Sequence, residues 1–74
     1  MTGFYVSVRD HGRSGFLLGP YDTHAEALAN VQLGQRLAEQ VNDDAHWYAY
    51  GTAKVTAETL KEGLLNQLAK EEAA

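Results

Sequence analysis

Seventy-four residues with no cysteine, one proline, 45% hydrophobic side chains and ten acidic against six basic groups make room for a single domain, residues 1–74. The missing thiols exclude a disulfide scaffold, a thiolate zinc site and a cysteine nucleophile together. The net charge of −4 argues against general nucleic-acid affinity, and no apolar run approaches the roughly 20 residues of a membrane span. With no signal-peptide pattern at Met1 to Phe4, the expectation is a cytoplasmic protein that contacts no membrane.

In chain order, Phe4, Val6 and Val8 alternate with Tyr5, Ser7 and Arg9, the pattern of a half-buried strand over residues 3–9. Asp10 to Gly15 is polar and holds two glycines, and the apolar run that follows predicts a second strand over 15–19, paired with the first as an antiparallel hairpin. Gly19 and Pro20 are expected to turn the chain out of the sheet, because proline cannot donate to a continuing ladder. Thr23 with Glu26 forms a capping box, so a helix is expected over 24–41. Ala27, Val31, Gly34, Leu37, Ala38 and Val41 fall on its inner face, whose small residues allow close approach to the sheet, with Leu28 and Leu33 at the flanks.

Asn42, Asp43 and Asp44 end that helix, and residues 45–55 read as a third strand. Its parity places Trp47, Ala49, Ala53 and Val55 on one side and Tyr48, Tyr50, Thr52 and Lys54 on the other. Thr56 can cap a second helix over 57–70, with Leu60, Leu64, Leu65 and Leu68 along its stripe. The reading is an α+β domain, a three-stranded antiparallel sheet with two helices in the order β-β-α-β-α.

Chemistry-bearing patterns are sparse. His11, His24 and His46 each have an acidic neighbour, but none lies at the helical spacing that would converge two ligands, so no metal or cofactor is expected. Ser7 and Ser14 stand outside any nucleophile elbow, no glycine-rich phosphate loop occurs, and the adjacent Asp43 and Asp44 point apart on extended backbone. No catalytic residues are assigned, and the chain reads as a non-enzyme.

The sheet face opposite the first helix carries the expectation of function. Alternation assigns it Tyr5, Arg9, Leu17, Tyr48, Tyr50 and Lys54, with Arg13 at the adjoining hairpin tip. Three occupants fit such a face: the second helix folded back over it, another protein or a second copy, or single-stranded nucleic acid stacked on the tyrosines. A protein partner or self-association agrees with the abundance of tyrosine and arginine at interfaces, while the acidic balance disfavours nucleic acid.

The segment from Leu17 to Leu28, with its Gly19-Pro20-Tyr21 turn and Thr23, His24, Glu26 cap, followed by Trp47 to Thr52, resembles a group of small uncharacterised proteins encoded by bacterial phages, plasmids and integrative elements. The likeness spans roughly residues 3 to 55 and implies an accessory or inhibitory binder, a class that includes anti-CRISPR proteins. The stretch from Gly19 to Ala27 is also similar to the second half of the peptidoglycan-binding SPOR domain. That likeness covers less than half of the chain and implies an alternative, cell-wall role.

Overall fold

A computed structural model describes residues 1–73. Two strands, β1 (Thr2–Asp10) and β2 (Arg13–Tyr21), precede two consecutive helices, α1 (His24–Ala29) and α2 (Val31–Val41). A short 3₁₀ helix (Asp43–Trp47), a third strand β3 (Ala49–Thr56) and a last helix α3 (Asn66–Ala73) complete the chain. The sheet is antiparallel throughout, in the order β2-β1-β3, so the expected α+β architecture with its three-stranded sheet is present. The order also supplies what alternation alone left open: β3 joins the sheet at β1, the central strand.

The hairpin is tighter than the glycine count suggested. His11 and Gly12, with φ of 47° and 86°, form its two-residue tip, the double positive φ that matches the twist of paired strands. Pro20 does not turn the chain out of the sheet. It lies inside β2, where an outer edge position leaves no ladder bond for a proline to break, and the Gly19-Pro20 peptide is cis. Pairing of β1 with β2 shifts register on either side of Val6, whereas β1 and β3 run in unbroken register from Thr2 opposite Thr56 to Arg9 opposite Ala49. Met1 and Ala57 close that end, the Met1 ammonium donating to Ala57 O at 2.8 Å and the Ala57 N–H to Met1 O at 2.9 Å.

The expected helix over 24–41 is broken at Asn30. Its side-chain amide donates to Glu26 O at 2.7 Å, and its own N–H turns to Ala27 O, so side chain and backbone compete with helix continuation. The Thr23 cap forms as expected, accepting from Glu26 N–H. Ala27, Gly34, Leu37 and Ala38 are buried against the sheet, while Leu28 and Val41 face solvent. A Cβ on Gly34 would stand 2.7 Å from Val6 Cγ1, which is why α2 can lie so close to β1. Val6, Leu18 and Leu37 form the centre of the core, each contributing on the order of 1.5–3 kcal/mol by burial.

The helix expected over 57–70 is confined to its end. Residues 57–65 run without helix across the sheet face opposite α1 and α2 and then along the outer edge of β2. There Gly63, Leu64 and Leu65 donate their N–H groups to Gly19 O, Phe16 O and Leu17 O at 3.1, 2.9 and 2.8 Å. Asn66 completes the edge, accepting from Gly19 N–H at 3.0 Å and donating its amide to Gly19 O. Backbone pairing with β2 replaces the helical bonds that the leucine spacing favours locally. The segment then delivers Leu65, Leu68 and Ala69 to the core on the α1 and α2 side.

Gly63 makes this approach possible, since a Cβ there would lie 2.5 Å from Leu17 O and 2.6 Å from Leu18 N. Gly63→Ala is expected to lower the urea-unfolding free energy by about 1–3 kcal/mol through forced displacement of the segment. Gly51→Ala, whose Cβ would meet nothing nearer than Ser7 Oγ at 3.8 Å, serves as the tolerated control. Equal losses in both variants would contradict this account.

Candidate functional site

The expected tyrosine face does not form. Register pairs Val8 with Tyr50, Val6 with Thr52 and Phe4 with Lys54, and directly opposed residues share a side of the sheet. Tyr50, Thr52 and Lys54 therefore lie on the face covered by α1 and α2, and Ala49, Gly51, Ala53 and Val55 lie with Tyr5 on the other. This is the reverse of the expected parity, and the whole set turns together because the strand period is two residues. Packing on both sides explains the choice. Tyr50 fits under the 3₁₀ helix and donates its hydroxyl to Ala45 O at 2.6 Å, whereas the small side chains of β3 leave the opposite face shallow.

The other expected site residues are dispersed in the same way. Tyr5 is only 2% exposed, stacks on Phe16 with ring centroids 4.8 Å apart, and donates its hydroxyl to Lys61 O at 2.5 Å. Leu17, expected beside it, is the extra residue of a β2 bulge and turns into the core. Arg9 and Arg13 remain exposed near the hairpin tip. With Tyr5 buried and Tyr48 and Tyr50 across the sheet from it, the three rings offer no common surface on which bases could stack.

What the fold assembles instead is an apolar groove of about 190 Å³ on the α2 side. Val8, Leu17, Ala38 and Ala45 line its floor, and Val41, Tyr48, Leu64 and Leu65 line its walls. The rim is unusually open for aliphatic side chains, with Val41 64% and Leu64 76% exposed. Tyr48 also borders a second hollow, of about 320 Å³, lined by Asp10, His11, Asp44 and Trp47. Of the residues expected to bind a partner, only Leu17 and Tyr48 come together here.

Trp47 was expected in the core and is instead 83% exposed. The cause lies upstream: Asn42 Oδ1 accepts from Asp44 N–H at 3.0 Å and starts the 3₁₀ helix, which replaces the first part of the expected strand. That turn buries Ala45 in place of Trp47. The Trp47 ring meets His46 edge-on at 5.1 Å, and His46 Nδ1 lies 3.3 Å from a Glu39 carboxylate oxygen. Tyr48 accepts from the Asn42 amide at 2.9 Å, which fixes a ring that lines both depressions.

Asp10 and Asp44 line the second hollow and neither Lys nor Arg lines either depression, although Arg13 stands opposite Asp10 across the hairpin. Among the described residues no group of three His, Asp or Glu side chains converges as a metal-ligand set. Among them, too, no helix is long and apolar enough to cross a membrane. Comparison with family models, with curated proteins and with solved structures gives no match.

Burial raises the pKa of Tyr50 above its ordinary 10.0, and the charge of Glu39 and the neighbouring Tyr48 add to the shift. Tyr21 is raised for similar reasons, burial first and then Glu26. A raised folded-state pKa means that the stability from the protonated hydroxyl is fully present below the unfolded value and is lost as pH climbs through the folded one. Urea midpoints should therefore be insensitive to these two groups up to about pH 10 and fall above it. The Tyr50→Phe variant should show a shallower alkaline fall, Tyr21 supplying the remainder. An unchanged alkaline limb in that variant would show that Tyr50 ionises freely in the folded chain.

Proposed function

We propose that this chain is a small, non-enzymatic protein-interaction module whose groove receives an apolar anchor of a partner protein, flanked in the partner by lysine or arginine. One observation carries the reading: Val41 and Leu64 stand exposed around the apolar groove, and Trp47 stands exposed in the neighbouring hollow that Asp10 and Asp44 line. Apolar centres with aromatic residues and a polar surround mark protein interfaces, and the Asp10 and Asp44 carboxylates of the neighbouring hollow favour a cationic partner. The likeness to small phage and plasmid proteins supports an accessory or inhibitory role of the anti-CRISPR type. The cysteine-free composition suits a cytoplasmic setting.

Selection from a displayed random-peptide library, with the folded chain as bait, tests the reading whatever the partner is. Enriched peptides are expected to share one aliphatic or aromatic anchor beside basic residues and to blue-shift the emission of Trp47, the only tryptophan. Leu64→Ser should weaken them by about tenfold, the scale of one lost apolar contact of roughly 1.4 kcal/mol. Added salt should weaken them further through screening of Asp10 and Asp44 in the neighbouring hollow. Peptides that bind the Leu64→Ser variant equally well, or that lack basic residues, would overturn the proposal.

A further inference from the structure

The two edges of the sheet are treated differently. The outer edge of β2 is interrupted by two register shifts, contains Pro20 and is covered by Gly63, Leu64 and Leu65. Each of these devices blunts an edge against pairing with another chain. β3 forms the other edge and has none of them. It is eight residues long, about 26 Å at the usual strand rise, in straight register with β1, with no proline and no acidic residue. Every second residue of such a strand turns its backbone N–H and C=O away from the sheet. The helices lie over a face of β3, as the contact of His24 Nε2 with Thr52 Oγ1 at 3.0 Å shows for α1.

From this asymmetry we infer that β3 is a dimerisation edge, and that two copies of this chain pair their β3 strands antiparallel about a two-fold axis. A row of alternating backbone donors and acceptors is complemented by another extended backbone, and β3 meets that requirement for itself when turned about a two-fold. The result is a six-stranded sheet in the order β2-β1-β3-β3-β1-β2. Both of its outer strands are already capped by their own Gly63 to Leu65 segments, so assembly closes at two copies and does not continue into a fibre. Although each chain carries −4, none of its carboxylates lies in β3, where Lys54 is the sole charged residue. The pairing uses backbone at β3 and leaves the groove at Leu64 and Val41 to a different partner.

Sedimentation equilibrium over a range of concentrations, with amide hydrogen exchange on the same samples, tests the inference. The expected result is a mass approaching twice that of the chain, with alternate amides of Ala49 to Thr56 protected in the concentrated sample and losing protection on dilution. Gly51→Lys adds a second cation to the edge where a side chain meets only Ser7 Oγ at 3.8 Å, so the monomer retains its fold. That change should weaken self-association by about tenfold or more, because a second charged side chain on the strand is the kind of feature that keeps edges from pairing. Leu64→Ser, which disables the proposed groove, should leave self-association unchanged. A single-chain mass at every concentration with exchange independent of dilution would overturn the inference, as would a dimer that Gly51→Lys does not weaken. Should Gly51→Lys fail to fold, the exchange measured on the unaltered chain decides alone.

Discussion

The backbone clasp between residues 63–66 and the outer edge of β2 is the interaction on which the rest of this small structure depends. Three N–H groups of Gly63, Leu64 and Leu65 meet carbonyls of Gly19, Phe16 and Leu17, and Asn66 binds both polar groups of Gly19. The clasp satisfies a strand edge that would otherwise stand open, and it takes residues 57–65 out of the helical conformation their leucine spacing favours. It also fixes the route of the chain: Lys61 accepts the Tyr5 hydroxyl on one face, and Leu65 and Leu68 reach the core on the other. A domain of this size buries a modest fraction of its surface, so a segment that contributes to both faces has a large share in its stability.

The same clasp creates the proposed binding surface. Leu64 and Leu65 form one wall of the groove because their backbone is held against the bulge at Leu17, and Val41 forms another because α2 ends beside the 3₁₀ helix. The Asn42 turn then lifts Trp47 out of the interior and places it next to Asp44 and Asp10. Exposure of a tryptophan and two aliphatic side chains is unfavourable in isolation, which is the basis of the proposed binding surface. The groove and the open β3 edge are separate in chemistry, one lined by aliphatic side chains and the other a row of backbone polar groups.

Much of the architecture was legible in local patterns, since alternation over Phe4 to Val8, the Thr23 and Glu26 cap and the small inner face of α2 all report short-range preferences. The break at Asn30 and the turn at Asn42 were less legible, because the same asparagine chemistry fits helix ends and helix interruptions alike. The parity of β3 was not legible. Trp47 and Tyr50 are both large aromatics on a stretch where alternation supports either side, and a 3₁₀ turn ahead of the strand changes which of them is buried. Candidate site residues suffered most: Leu17 and Tyr48 belong to the groove, whereas Tyr5, Tyr50 and Lys54 were grouped with them by a register the chain does not adopt.

By itself the sequence determined that this chain is acidic, cysteine-free and α+β, with a hairpin, a capped helix and a third strand. Those features follow from side-chain period, turn chemistry and composition, which act between near neighbours. Tertiary structure alone decided that β1 is central, that β3 turns its tyrosine toward the helices, and that residues 57–65 clasp an edge in place of forming a helix. Each of these outcomes depends on groups distant in the chain, such as Gly63 against Leu17 and Tyr50 against Ala45. Hydrogen bonding and close packing across that separation outweigh preferences worth only tenths of a kcal/mol to about 1 kcal/mol per residue.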